Sequence, residues 1–181
     1  MDNHRNGIAI YVLAGLQAGV VGVVWMLICF FAAALLTGGG LWSMPNLFAT
    51  AFYGENAWQN GFFRDTWSGI ALLVVLYGSI GALWGCFWKD HRKPLLSFYG
   101  AMLGLAVYYL FFNFVWAHVN PTIPLYAPMR QMQLAHVLWG AALSKSPGYS
   151  NRIATALRPE PVPPASVHPE GAEIVSGELI R

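Results

Sequence analysis

A single histidine interrupts an apolar stretch late in the chain. In "QMQLAHVLWGAAL", residues 131–143, His136 follows Gln131 and Gln133 and precedes Gly140 by one helical turn. A neutral imidazole nitrogen binds transition metals well. A glycine one turn away would make room for a macrocycle, so a haem iron or a chlorophyll magnesium is the sharpest chemistry on offer. Its residues would be His136 as ligand, with Gln133 and Gly140 on the same helical face. A bis-histidine haem would need a second imidazole at similar depth. His118 is the candidate, but it sits near the end of the preceding apolar run and on a different face from Asn113. The simpler chemistry is a hydrogen bond between helices, with no cofactor bound, and that is the expectation for His136.

Other chemistries lack their residues. The sequence holds no nucleophile motif, phosphate-cradling glycine loop or metal-spaced Cys/His cluster. Its long apolar runs carry no Asp or Glu, which argues against a proton relay or cation pump built on intramembrane carboxylates. Cys29 and Cys86 fall near opposite ends of adjacent runs, too far apart for a disulfide. The polar groups left at depth are neutral: Gln17, Ser79, Tyr108, Tyr109, Asn113, Gln133 and His136.

These groups must be positioned by helices in a bilayer. Of 181 residues, 56% are hydrophobic and 10% charged, against roughly 25% charged in a soluble domain. Residues 8–37, 67–88 and 95–117 contain no charge at all. Each run can cross a hydrocarbon core of ~30 Å as a helix. A fourth span, about 128–143, is shorter and less apolar; Pro128 suits its first turn and Lys145, Arg152 and Arg158 follow it. The fold class predicted is therefore an all-α integral membrane four-helix bundle over residues 1–144. The first apolar run is about twice a secretory h-region of ~7–15 residues, so it is expected to be retained.

Loop charges orient the bundle. His4 and Arg5 precede the first span, "KDHRKP" joins the second to the third, and the three basic residues just named follow the fourth. The other two loops carry only Arg64 before the helix-starting segment at Met129. The positive-inside rule then places both termini in the cytoplasm. Trp67 and Trp116 would mark the outer interface, and Phe87, Trp88, Phe98 and Tyr99 the inner one.

Within the bundle, "LLVVLYGS" (72–79) echoes "LAHVLWGA" (134–141), and "GLQAG" (15–19) echoes "GAMLG" (100–104). Such a duplication would make the bundle two tandem helical hairpins. Small residues share single faces: Gly15, Ala18, Gly19 and Gly22; Gly78, Gly81 and Gly85; Gly100 and Gly104. In lipid, close backbone approach through such faces is a main source of helix association. Polar stripes on the third and fourth spans suggest bridges from Asn113 to Gln133 or from Tyr109 to His136.

Two further segments stand apart. In "SMPNLFATAFYG" (43–54), Ser43 and Pro45 suit a helix start and Gly54 a stop. With Leu47, Phe48, Ala51 and Phe52 on one side, it reads as a short amphipathic helix lying on the outer interface, or as a docking surface for another subunit. Residues 145–181 form a proline-rich cytoplasmic tail, "RPEPVPPASVHPE" at its centre, expected to be extended or disordered.

The last third, "NPTIPLYAPMRQMQLAHVLWG" with "SNRIATALRPEPVPP", resembles the end of the YagU-like bacterial inner-membrane proteins. Pro121, Pro124, His136 and Trp139 carry most of that similarity. The resemblance implies a four-span protein of the bacterial cytoplasmic membrane and carries over no catalytic residue. Together these readings describe a non-catalytic multi-pass membrane protein, an accessory subunit whose partners are the lipid bilayer and other membrane subunits. Nucleic acid is not among them. A tetrapyrrole-binding subunit and a small-solute channel or transporter are the alternatives.

Overall fold

The computed structural model describes residues 2–87 and 95–158. Trp88, the basic "KDHRKP" loop and the proline-rich centre of the tail lie outside them. All the regular structure among the described residues is helical. Helix α1 spans Asp2–Thr37, α2 Ser43–Tyr53 and α3 Arg64–Phe87. Helix α4, Leu96–Leu110, runs through a π-turn at Phe111–Val115 into α5, Trp116–Val119. A short α6, Thr122–Tyr126, precedes α7, Met129–Ala142, and α8, Ser146–Ala156.

Three helices are long and apolar enough to cross a membrane: Gly7–Thr37, Arg64–Phe87 and Leu96–Val119. The fourth segment is helical where the sequence puts it, but α7 covers only 14 residues, or ~21 Å at 1.5 Å per residue. A 3-10 turn at Leu143–Lys145 carries the chain directly into α8. The tail expected to be extended from residue 145 is thus helical as far as Ala156. Pro147 enters that helix at its first turn, where a missing N–H costs nothing.

Helix α1 packs on both α3 and α7, and α7 packs in turn on α4. The α1–α3 contact is antiparallel and glycine-to-glycine. A Cβ on Gly15 would strike the Gly81 carbonyl oxygen and lie 2.8 Å from the Gly85 nitrogen. One on Gly19 would lie 2.7 Å from the Tyr77 oxygen. The α4–α7 contact repeats the device, with Gly100 and Gly104 seated against Gly140 and the His136 carbonyl. Backbones this close leave no space for any side chain, which is how small residues join helices without a hydrophobic driving force.

Helix α2 departs from expectation. Its start and its stop fall where Ser43 and Gly54 predict, and Gly54 ends it with a positive φ of 77°. It does not lie on a surface, however. Residues Pro45 to Thr50 are buried in succession, and Gly69 of α3 receives the Pro45 carbonyl in van der Waals contact too close for a Cβ. Leu47 and Phe48 join the main core, while Phe52, predicted on the same apolar side, is exposed. The helix is a cap across one end of the bundle, and neighbours enclose most of its circumference.

Candidate functional site: a histidine–tyrosine pair inside the bundle

His136 is fully buried. Its Nδ1–H donates to the Met132 carbonyl one turn earlier, at 2.7 Å. That bond fixes the tautomer, leaving Nε2 as the acceptor. Tyr77 of α3 supplies the proton, its hydroxyl 2.6 Å from Nε2. Both ring nitrogens are thereby occupied by protein groups. The ring is walled by aromatic edges: Tyr77 and Tyr108 at 5.3 Å and Phe112 at 5.9 Å between centroids. Trp139, one position before Gly140, packs against Tyr77 and donates its Nε1–H to the Gly19 carbonyl at 3.2 Å. Tyr77, His136 and Trp139 therefore link α3, α7 and α1 at one level.

The three residues read as a tetrapyrrole site point to three different neighbours. His136 faces α3 through Tyr77. Gly140 lies against Gly100 and Gly104 of α4, so its small size serves helix contact there. Gln133 is only partly buried and donates to the Tyr109 hydroxyl at 3.3 Å. Among the bridges suggested from the sequence, neither forms as drawn: Tyr109 meets Gln133, and His136 meets Tyr77. The physical reason lies on α4. Its glycine face turns toward α7, and Tyr109 falls five residues beyond Gly104, roughly 140° around the helix. Tyr109 and Asn113 are accordingly exposed on the bundle's flank.

Tyr77 is the residue that sequence reasoning missed. It precedes Gly78 and shares the packing face with Leu73, Gly81 and Gly85. A tyrosine on a glycine-lined face is an aromatic body with a polar tip that must find a partner when buried. That signal was available in the sequence.

A second polar cluster fastens the α2 cap. The fully buried Asn46 donates through its side-chain nitrogen to the carbonyls of Asn60 (2.6 Å) and Gly61 (3.2 Å), and accepts from Thr66 at 2.7 Å. Asn60 donates to Asp65 at 2.6 Å. On the other side, Asn120 donates to Thr50 at 2.8 Å and Thr122 to Glu55 at 3.1 Å. This cluster closes the loop 54–63 over α2 and ties both to Asn120 and the start of α6. Among the described residues, no group of three or more His, Cys, Asp or Glu side chains converges on a metal-sized site.

Comparison of the chain with protein-family models, with curated proteins and with solved structures finds no match. What the structure defines is a class: an all-helical chain with three helices able to cross a membrane.

Proposed function

We propose that the chain is a non-catalytic subunit of a larger membrane assembly, with α7 crossing the bilayer as a fourth span beside α1 and α4. In that reading it resides in a bacterial cytoplasmic membrane with both termini on the cytoplasmic side. The resemblance of its last third to YagU-like proteins is in keeping with it. The observation that carries the subunit role is the position of two amides. Gln17 of α1 and Asn113 of the π-turn are exposed on helices long enough to span, with no hydrogen-bond partner among the described residues. Hydrocarbon offers such groups nothing, and an unsatisfied polar group there costs several kcal/mol. A neighbouring helix with a polar side chain would satisfy them, as interhelical amides do.

Support for a structural His136 comes from its two occupied nitrogens. An iron or magnesium ligand needs one of them free. The bundle interior between α1, α3 and α7 is filled by Met26, Phe30, Leu73, Tyr77 and Trp139, which favours a packed subunit over a solute pathway.

The test is purification from the native membrane in mild detergent, comparing the wild-type chain with Gln17→Leu and Asn113→Leu. The reading expects a defined partner to co-elute with the wild type and to be lost from at least one variant whose own melting is unchanged. Elution of the wild type alone, or identical complexes from all three proteins, would remove the basis for the proposal.

A further inference from the structure

A groove of about 450 Å³ runs between the end of α2 and the first half of α3, lined by Phe52, Tyr53, Ser68, Ala71, Leu72 and Val75. Its polarity is ordered along its length. At the top stands Arg64, its side chain 74% exposed and its guanidinium carbon 5.6 Å from the centre of the Tyr53 ring. Next come two hydroxyls, Tyr53 and Ser68, 3.0 Å apart. Below them the lining is Ala71, Leu72 and Val75, with Phe52 on the α2 side.

We propose that this groove holds a glycerophospholipid, one acyl chain along Ala71, Leu72 and Val75 and the phosphate on Arg64. The inference rests on α3 crossing the membrane and not on the subunit role. Length is the first support. From Arg64 to Val75 is eleven residues, ~16 Å along a helix, which matches one leaflet of a hydrocarbon core ~30 Å thick. Charge is the second. Arg64 carries the guanidinium where headgroups lie, and its contact to Asp65 is a long 3.7 Å through Nε. Asp65 itself is buried and takes a shorter bond, 2.6 Å, from Asn60. The Arg64 side chain is largely exposed and takes no shorter contact from Asp65, and a phosphate is a natural bidentate partner for a guanidinium so placed. The α2 cap makes the groove: without Phe52 and Tyr53 there is only the bare side of α3.

The experiment uses the full chain in mild detergent, incubated with phosphatidylglycerol or with diacylglycerol bearing the same acyl chains. Native mass spectrometry reads the retained lipid. The wild type is expected to retain phosphatidylglycerol about tenfold better than diacylglycerol, the scale of one charge-assisted contact. Arg64→Gln should bring phosphatidylglycerol down to the diacylglycerol level. Val75→Trp, at a position already exposed on the groove floor, should lower retention of both lipids without changing the melting curve. Equal retention of the two lipids by the wild type would overturn the headgroup contact. Unchanged retention in Val75→Trp would overturn the groove as the site.

Discussion

Removing the Tyr77 hydroxyl tests the bundle centre most directly. Tyr77→Phe keeps the ring and its edge contacts to His136 and Trp139, at 5.3 and 5.2 Å, and deletes one atom. That atom is the donor to His136 Nε2 at 2.6 Å. With both residues fully buried, no solvent reaches the abandoned nitrogen. A buried polar atom left without its partner costs ~1–3 kcal/mol, whereas interhelical hydrogen bonds measured in membranes average ~0.6 and reach ~1.7 kcal/mol. The short distance and full burial put this bond near the upper membrane figure, so Tyr77→Phe should cost ~1.5 kcal/mol.

His136→Leu leaves the Tyr77 hydroxyl stranded instead and should cost at least as much. The double variant removes both partners and leaves apolar groups of similar shape, which can be nearly neutral. It should therefore be less destabilised than the sum of the singles by ~1 kcal/mol or more. Reversible unfolding of the purified chain in bicelles, followed by tryptophan fluorescence, gives all four corners of the cycle. Additivity of the two substitutions within ~0.5 kcal/mol would refute the coupling. The pair would then be a geometric neighbour without energetic weight.

Other substitutions follow from the same contacts. His136→Gln retains a donor and an acceptor, so it should cost less than His136→Leu, and the visible spectrum of the purified protein should not change between wild type and variant. Gly104→Ala drives a Cβ into the His136 carbonyl and Gly81→Ala into that of Gly15; each should lose ~1–3 kcal/mol in the same unfolding assay. Gly148→Ala, in α8 with open space around it, should be neutral or stabilise by up to ~1 kcal/mol. Asn46→Leu strands the Thr66 hydroxyl and two loop carbonyls, so protease should cut residues 55–63 faster while the α1–α3 contact persists. In a background lacking Cys29 and Cys86, a thiol at the exposed Gln59 should label from outside intact cells. One at Gly148 should label only after permeabilisation, and the reverse pattern would invert the proposed topology.

The helices themselves were legible because lipid imposes simple rules. Runs without charge mark α3 and the α4–α5 segment to within a few residues, and the end of α1, which starts earlier, at Asp2. On the glycine faces, Gly15, Gly19, Gly81, Gly85, Gly100 and Gly104 meet backbone, while Gly78 meets the Leu16 and Val20 side chains. What could not be read was the set of contacts between residues distant in sequence. Asn46 looks like a polar residue of a short helix and Asn60 like an ordinary loop asparagine until the loop folds over α2 and Asn46 is buried beneath it. Burial of α2 was likewise invisible. Leu47 and Phe48 state that it has an apolar side, but only Gly69, more than twenty positions later, creates the seat that draws the Pro45 carbonyl inward.

If α7 is a fourth span, as proposed, it shows how hydropathy can undervalue one. The exposed residues of α1 include Leu13, Leu16, Val24, Trp25, Ile28 and Leu35, a surface made for hydrocarbon. Helix α7 lies between α1 and α4, with Met132, Ala135, His136, Trp139, Gly140 and Ala142 all buried. Shielded on two sides, it leaves only Met129, Leu134 and Leu138 as large exposed apolar residues, so apolar character is not the main thing that keeps it in place. Its residues are chosen for contact instead: small ones where α4 approaches, an indole whose N–H reaches α1, an imidazole that accepts from α3. Under the four-span proposal, the polarity that makes residues 128–143 look marginal as a membrane segment is the chemistry of the central position. If so, moving α7 into lipid should be unfavourable. A chain truncated after Phe87, which deprives α1 of α7, should expose the Gly19 carbonyl and Gly22 and lose the α1–α3 pairing more readily than Tyr77→Phe does. Retention of full α1–α3 pairing in that fragment, measured by tryptophan fluorescence in the same bicelle unfolding assay, would show that α7 is peripheral.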